Sequence, residues 1–397
     1  MDVWTLVATA LVIFMSIPGV ALFYGGLVGS KNVNSILIQA IAIVGVVTVT
    51  MVLFGNGIVN AGFGGIFSDF LLSTQAQDAM PGVLFGFTFA IITPILIIGG
   101  FAERVKLPFV LLFSAIWTLA VYCPFAYWVW VEPFGDNAAE TFNLLLILGT
   151  HEPIDWAGGL VVHQAAGVAA LVLALVIGPR KGKSTPHFPG MVFIGAAVLW
   201  VGWFGFNSGI NEGFGNAGHI MMNTQIAAAT AALAWVLFEA ARGGRPTLVG
   251  AATGAIAGLV AITPACYTVS AGGALVLGIV AGIVPQLAIG LIKNTFKIDD
   301  SLDVFAVHGV AGIVGTLLLP FLAAFGATSQ FFGSEDYNMF SQFWDQLASV
   351  LISLVYNVVV TLIIAYGLKF TLGIRVSEDA EAEGLDITSH GERAYDL

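Results

Sequence analysis

The chain has 397 residues; 58% are hydrophobic and 9% charged, against about 45–50% apolar and about 25% charged in soluble domains. So few charged side chains cannot coat a water-soluble fold of this size, which excludes a soluble globular enzyme. The formal net charge of −11 lacks the basic footprint of a nucleic-acid-binding protein, and the two cysteines, Cys123 and Cys266, form no metal motif and give no support for a disulfide.

A helix crosses the hydrocarbon core with about 20 apolar residues. In chain order, eleven stretches qualify: 3–25, 34–55, 81–102, 109–130, 156–177, 189–210, 219–240, 248–266, 271–292, 303–324 and 345–370. Backbone polar groups have to be satisfied within each crossing, so all eleven are expected to be helices of an all-α polytopic fold over residues 1–370, followed by a polar tail over 371–397. The first stretch, opening MDVWTLVATALVIF, lacks a basic n-region and an A-x-A cleavage site and reads as a retained span. Abundant glycine (48 residues) suits close packing of such helices.

The 13 basic residues are Lys31, Arg104, Lys106, Arg180, Lys181, Lys183, Arg242, Arg245, Lys293, Lys297, Lys369, Arg375 and Arg393. With eleven spans, all of them fall at the ends of the odd-numbered spans or in the tail, and the alternate links carry none. Basic links remain cytoplasmic, so the N-terminus is expected outside and the C-terminus inside. The long links 56–80, 131–155 and 325–344 are then external; their acids read as solvated loop residues or as a mild attraction for cations.

The segments DWAGGLVVHQAAGVAALV from Asp155 and DVFAVHGVAGIVGTLL from Asp303 share an Asp, a Val-His pair and a run of small residues. Their histidines, His163 and His308, fall in the fifth and tenth spans, which run in opposite directions. That predicts an inverted five-plus-five repeat with an eleventh helix outside it, the plan of transporters and channels with a midplane site. At about 1.5 Å per residue, His163 lies roughly 12 Å below Asp155, near the middle of the core, and His308 reaches a similar depth from the other side. Such groups either line a pathway, passing protons between rings, or are structural and bonded to neighbouring polar atoms. Asp155 reads as an attractor for cations at the outer mouth, as a helix cap, or as both. Asp303 reads as a cap or loop anchor on the inner side.

Three spans bring aromatics to one external depth: Phe85 and Phe89, Trp130, and Trp203 and Phe206. Trp128 and Phe204 read as belt and packing residues. For Trp130, Phe89 and Phe206 the same reading stands beside a second, a cage that binds a cation through its π faces. An aromatic cage over two buried histidines, with no acid deep in the path, favours a small cation that loses its proton before crossing, because an intact ion would carry a heavy desolvation cost.

PGVALFYGGLVGSKN (18–32), FTFAIITPILIIGGFAER (87–104), DWAGGLVVH (155–163), GWFGFNSG (202–209), TPAC (263–266), DDSLDVFAVHGVAGI (299–313) and GLDITSHGERAY (384–395) resemble the ammonium transporter family, the Amt/Mep/Rh superfamily, and its Amt branch in particular. The resemblance covers essentially the whole chain. It implies an eleven-helix protomer assembled as a homotrimer in the cell membrane, importing ammonium or methylammonium without a cofactor. It implies that Phe89 and Phe206 are the stacked gate, Trp130 the recruitment-site tryptophan, Phe85 and Trp203 lumen-lining aromatics, Asp155 the aspartate at the mouth of its helix, and His163 and His308 the twin pore histidines. It further implies an ordered tail beneath the neighbouring subunit and a PII-type signal protein docking on the inner face. Two departures stand out: Ile210 occupies the position where the Amt branch usually has a serine, and the link after Trp130 is long and lacks the customary glycine run. Two other readings follow from them, a neutral channel for ammonia or carbon dioxide as in the Rh branch, and a non-transporting ammonium sensor. An intramembrane hydrolase would need a nucleophile or metal triad beside the histidines, and the sequence offers none.

Overall fold

The computed structural model describes residues 3–131, 143–149, 153–182, 185–210, 214–326, 328–331, 333–334 and 337–396. Within them the chain is helical, with one isolated bridge between Val105 and Arg375. The principal helices are α1 (Val3–Leu27), α2 (Val33–Ala61), α3 (Met80–Gly100), α4 (Leu107–Val131), α5 (Gly159–Ile177), α6 (Pro189–Ser208), α7 (Asn216–Ala241), α8 (Leu248–Ile262), α9 (Ala271–Thr295), α10 (Phe305–Ala323) and α11 (Met339–Thr371). Proline in the first turn starts α3, α4 and α6, where its missing N–H is harmless. Side chains of Thr247, Ser270 and Asn338 cap α8, α9 and α11. Several helices are interrupted by π-helical stretches, as at Met15–Gly19 around Pro18 and at Met51–Gly55, which mark bends.

Among the described residues, ten helices are long and apolar enough to cross a membrane; α8, with 15 residues, is not. At about 1.5 Å per residue it covers roughly 22 Å of a ~30 Å core. The stretch expected to continue to 266 stops at Ile262, because Pro264 follows and the chain turns through Thr263–Tyr267 toward the Ser270 cap. A non-helical stretch before α5 meets this turn, with the Trp156 N–H donating to the Pro264 carbonyl at 3.1 Å.

The long helix α11 is polar on its inner face and apolar outside. Gln346, Ser349, Ser353, Asn357 and Thr361 are buried, whereas Leu351, Val355, Val359 and Ile363 are exposed. In lipid this arrangement is favourable, because Gln346, Ser353, Asn357 and Thr361 make hydrogen bonds to neighbouring parts of the bundle while the apolar face meets acyl chains.

The links carrying basic residues gather at one end of the bundle, called the basic face here. Arg180 pairs with Glu103 and Asp299 at 2.7 Å each. Arg104, fully buried, donates to the Gly178 and Asp299 carbonyls and to Ser301. Burial alone would raise the Asp299 carboxyl, but hydrogen bonds and charge from Arg180 hold it down at about 2. The tail, which composition alone reads as disordered, folds onto this face of its own chain as α12 (Glu378–Glu383) and α13 (Leu385–His390). Arg375 bridges Glu381 and the Ile177 and Pro179 carbonyls, and Asp386 accepts the Ser35 N–H at 2.8 Å.

Candidate functional site

Helices α5 and α10 are built alike. Each opens with six π-helical residues (Gly159–Gln164 and Phe305–Val310) and continues as thirteen α-helical ones. The two cross where only glycine fits: a Cβ on Gly167 would overlap the backbone of Gly309, and one on Gly312 would overlap the Gly159 carbonyl. Since 167 meets 309 while 159 meets 312, the helices cross in antiparallel sense. His163 and His308 meet at this crossing, with ring centroids 5.3 Å apart, planes 23° apart and Nδ1 atoms at 3.3 Å. At that contact one neutral ring can donate and the other accept, the tautomers deciding which. His163 is fully buried and its Nε2 has no hydrogen-bond partner.

Aromatic rings continue from the histidines in one column. His163 stacks on Trp203 at 5.1 Å and touches Phe206 at 5.8 Å; Phe206 stacks on Phe89 at 4.2 Å with planes 20° apart. Phe89 in turn meets Phe85 at 5.0 Å and the edge of Trp130 at 5.8 Å. At the stacking distance of Phe89 and Phe206 nothing passes between the rings unless they part. Hydrogen bonds fix the indoles: Trp130 donates to the Asp155 carbonyl at 2.7 Å and Trp203 to the Thr263 hydroxyl at 2.9 Å. Beyond the phenylalanines a vestibule of about 1000 Å³ opens, lined by Phe85, Phe89, Trp130, Asp155, Phe206 and Ile210 among others. On the other side of the histidines a narrower cavity of about 160 Å³ reaches His308 from the basic face, past Tyr24, Thr253, Arg180, Lys293 and Asp303.

Asp155 is a cap. Its carboxylate accepts the N–H groups of Gly158, Gly159, Leu160 and Val161 at 2.6–3.1 Å, which serves the orphan donors at the start of α5. Gly158, at φ +103°, makes the turn. Burial pushes the Asp155 carboxyl up to about 6, against the pull of those four donors. The matching cap in α10 is Asp300 and not Asp303, which corrects the pairing read from the sequence. Asp300 stands eight residues before His308, as Asp155 stands eight before His163, and it accepts the Phe305 N–H at 2.8 Å. Burial and the neighbouring Asp303 charge raise its carboxyl to about 7. Asp303 is a loop anchor, with φ +62° and an ion pair to Lys293 at 2.7 Å.

Ile210 is 64% exposed and lines the vestibule, so this wall presents a hydrocarbon side chain. Most of the vestibule lining escaped the sequence, including a further aromatic pair. Trp156 and Tyr267 stack at 4.3 Å, and the Trp156 indole donates to the Asn207 carbonyl beside Phe206 at 2.9 Å. The adjacency of Trp156 to Asp155 was the available signal; Tyr267 lies in the turn after α8, where no periodicity gives its direction. Most of the long link after Trp130, residues 132–142 and 150–152, lies outside the described residues. Among the described residues no cluster of three His, Cys, Asp or Glu side chains could hold a metal.

A stacked aromatic pair against two adjacent imidazoles, with a wide aromatic mouth on one side and a narrow cavity on the other, suits a small ligand that meets π faces as a cation and imidazoles as a neutral base. The model of the Ammonium Transporter Family matches residues 3–395. An ammonium transporter of Aquifex aeolicus is 39% identical over 99% of this chain and 93% of that protein. One of Mycobacterium bovis is 41% identical, covering 99% and 90%. Among solved structures, a sensor Amt protein aligns with a TM-score of 0.85 at 27% identity over 98% of this chain and 97% of that one. Mep2 of Saccharomyces cerevisiae aligns with a TM-score of 0.79 at 31% identity, covering 95% and 87%. The chain belongs to the ammonium transporter family.

Proposed function

We propose that the protein carries ammonium and methylammonium across the cell membrane, binding the cation in the vestibule, deprotonating it at the phenylalanine pair and conducting ammonia past the twin histidines. The observation that carries this reading is the unbroken column Trp130–Phe89–Phe206–His163–His308, in which each ring centroid lies within 5.8 Å of the next. The cation is attracted by the π faces of Trp130, Phe85 and Phe89, at a site whose architecture Asp155 holds; Trp203, expected at this site from the sequence, stacks on His163 instead and lies outside the vestibule lining. Past the stacked rings the lining is aromatic, and a bare cation there would lose its hydration without compensation. Ammonia crosses more cheaply, as a neutral base able to donate to and accept from the imidazoles. The proton travels separately, so each cycle moves net charge.

In the membrane the chain makes eleven crossings, α8 completing its own with the turn that follows, and the basic face is cytoplasmic. The N-terminus is then outside. Three copies assemble with one path each. The folded tail and the basic links form the surface on which a PII-type signal protein docks. Reconstituting the purified protein and recording current on an ammonium jump tests the reading. A transient current that scales with protein content is expected. Ammonia flux without current would replace the reading by a neutral channel; tight binding with neither flux nor current would replace it by a sensor.

A further inference from the structure

The vestibule is far larger than ammonium needs. At about 1000 Å³ it stands at the top of the range, roughly 300–1,000 Å³, that holds a drug-sized ligand. Beyond Trp130 and Phe89 its wall continues in a second aromatic layer. Trp156 stacks on Tyr267 at 4.3 Å, and Phe331 stacks on Tyr337 at 4.4 Å with planes 4° apart. The two pairs are neighbours. The Thr268 carbonyl, next to Tyr267, accepts the Ser329 hydroxyl at 2.8 Å and the N–H of Gln330, the residue before Phe331, at 3.1 Å. All four rings are half-buried and line the cavity.

The start of α11 completes this layer. Gln346 ties the helix to the stretch before α5, accepting the Ile154 N–H and donating to the Ile154 carbonyl, both at 2.7 Å. Gln342 and Asp345, just before it, line the vestibule. The Tyr337 hydroxyl donates to the Pro320 carbonyl at 2.9 Å, which fixes its ring. The Asn338 side chain caps α11 by accepting the Phe340 and Ser341 N–H groups at 3.1 Å each, which blunts the positive end of the helix. Among the described residues that line the vestibule, Asp155 and Asp345 supply carboxylates and no Lys, Arg or His offsets them.

Ammonium is small and strongly hydrated, and four spread-out rings around a wide space do not enclose it. A quaternary ammonium distributes the same charge over its methyl groups, gives up water easily and is recognised by π faces. We propose that Trp156, Tyr267, Phe331 and Tyr337, with Asp345, bind an organic cation of the quaternary ammonium class at a site distinct from the one at Trp130 and Phe89. Such a ligand has no N–H bond to break, and Phe89 and Phe206, stacked at 4.2 Å, bar its way inward. It therefore stays in the vestibule and keeps ammonium out. The binding stands on the cavity alone; the competition rests on the reading that ammonium enters through the vestibule.

Calorimetric titration of the purified protein with tetramethylammonium chloride, against sodium chloride at equal ionic strength, should show saturable binding. In proteoliposomes tetramethylammonium should evoke no current of its own. It should raise the half-saturating ammonium concentration and leave the maximal current unchanged. The double variant Phe331→Leu, Asp345→Asn lies outside the ammonium site. It should weaken tetramethylammonium binding about fivefold while ammonium half-saturation stays within about twofold. Heats no different from those of sodium chloride overturn the proposal. Undiminished binding in a monodisperse double variant overturns it as well, since the cation would then sit against Trp130 and Phe89. A tetramethylammonium current overturns the exclusion of the ligand from the path. Saturable binding in a parent protein that passes no ammonium current refutes the transport reading and leaves the site standing.

Discussion

The Nδ1 atoms of His163 and His308 lie 3.3 Å apart on helices that cross at Gly167 and Gly309. Two neutral imidazoles this close can pass one hydrogen bond between them and offer a cation no negative pole. Replacing both with alanine removes the imidazole pair and opens a void that water can enter. The double variant is expected to pass potassium, and the parent is expected to exclude it. A potassium jump on reconstituted protein checks this, and a variant that still excludes potassium assigns selectivity to the phenylalanines alone.

Asp155 gives the activity a pH dependence with a definite sign. Its carboxyl ionises through about pH 6 in the folded protein, whereas in an unfolded chain it does so near ~3.9. Between those values the folded state holds a proton the unfolded state has released. This group's contribution to stability therefore falls as pH rises through that window. Function is expected to run the other way, because the ionised cap orders the start of α5 and its charge favours a nearby cation. Transport in the parent should rise as external pH passes from 5 to 7, since ammonium itself stays protonated throughout. Asp155→Asn should flatten that rise and lower the maximum several-fold. Asp155→Ala, which strips four buried N–H donors of their acceptor, should accumulate poorly. An unaltered pH profile in the asparagine variant would detach the carboxyl from transport.

How much of this was legible beforehand follows from where the signals lie. Long apolar runs and the paired Val-His segments are local, and they sufficed for the helices and for the two histidines that meet where α5 and α10 cross. The eighth span was overextended because residues 263–266 are as apolar as a helix, and only Pro264 and the turn after it end the element. The Asp303 pairing went astray for a related reason. Asp299, Asp300 and Asp303 offer three carboxylates within five residues, and backbone geometry decides which reaches the helix start. The polar face of α11 stayed unread because polar residues in a lipid-facing helix declare their partners only once the neighbouring helices are in place.

The glycine crossing is testable through stability alone. A methyl group on Gly167 would enter the Gly309 backbone, with no flexible side chain there to yield. Gly167→Ala should sharply lower the yield of monodisperse protein. Gly45→Ala, where nothing lies within 4 Å of the new Cβ, should leave it unchanged or stabilise its helix by about 0.5–1 kcal/mol. Size-exclusion profiles and thermal melts of the two variants side by side decide the matter, and a well-behaved Gly167→Ala would show that α5 and α10 can separate without loss.

Ile210 is expected to limit the affinity for the cation. It lines the vestibule with a branched hydrocarbon chain at 64% exposure, close to Phe206 in sequence and beside Phe85 and Trp130 on the vestibule wall. A hydroxyl at this position would accept a hydrogen bond from the bound cation, and bonds to charged partners contribute about 1.5–3 kcal/mol where solvent is excluded. The exposure of this wall argues for the lower end, or somewhat less, so Ile210→Ser should lower the half-saturating ammonium concentration by about five- to tenfold. The maximal current should change little, because the serine stabilises the bound cation outside the phenylalanine pair and leaves the crossing itself untouched. Peak current against ammonium concentration in parent and variant separates the two quantities. An unchanged half-saturation would place the bound cation out of reach of position 210, deeper against Trp130 and Phe89.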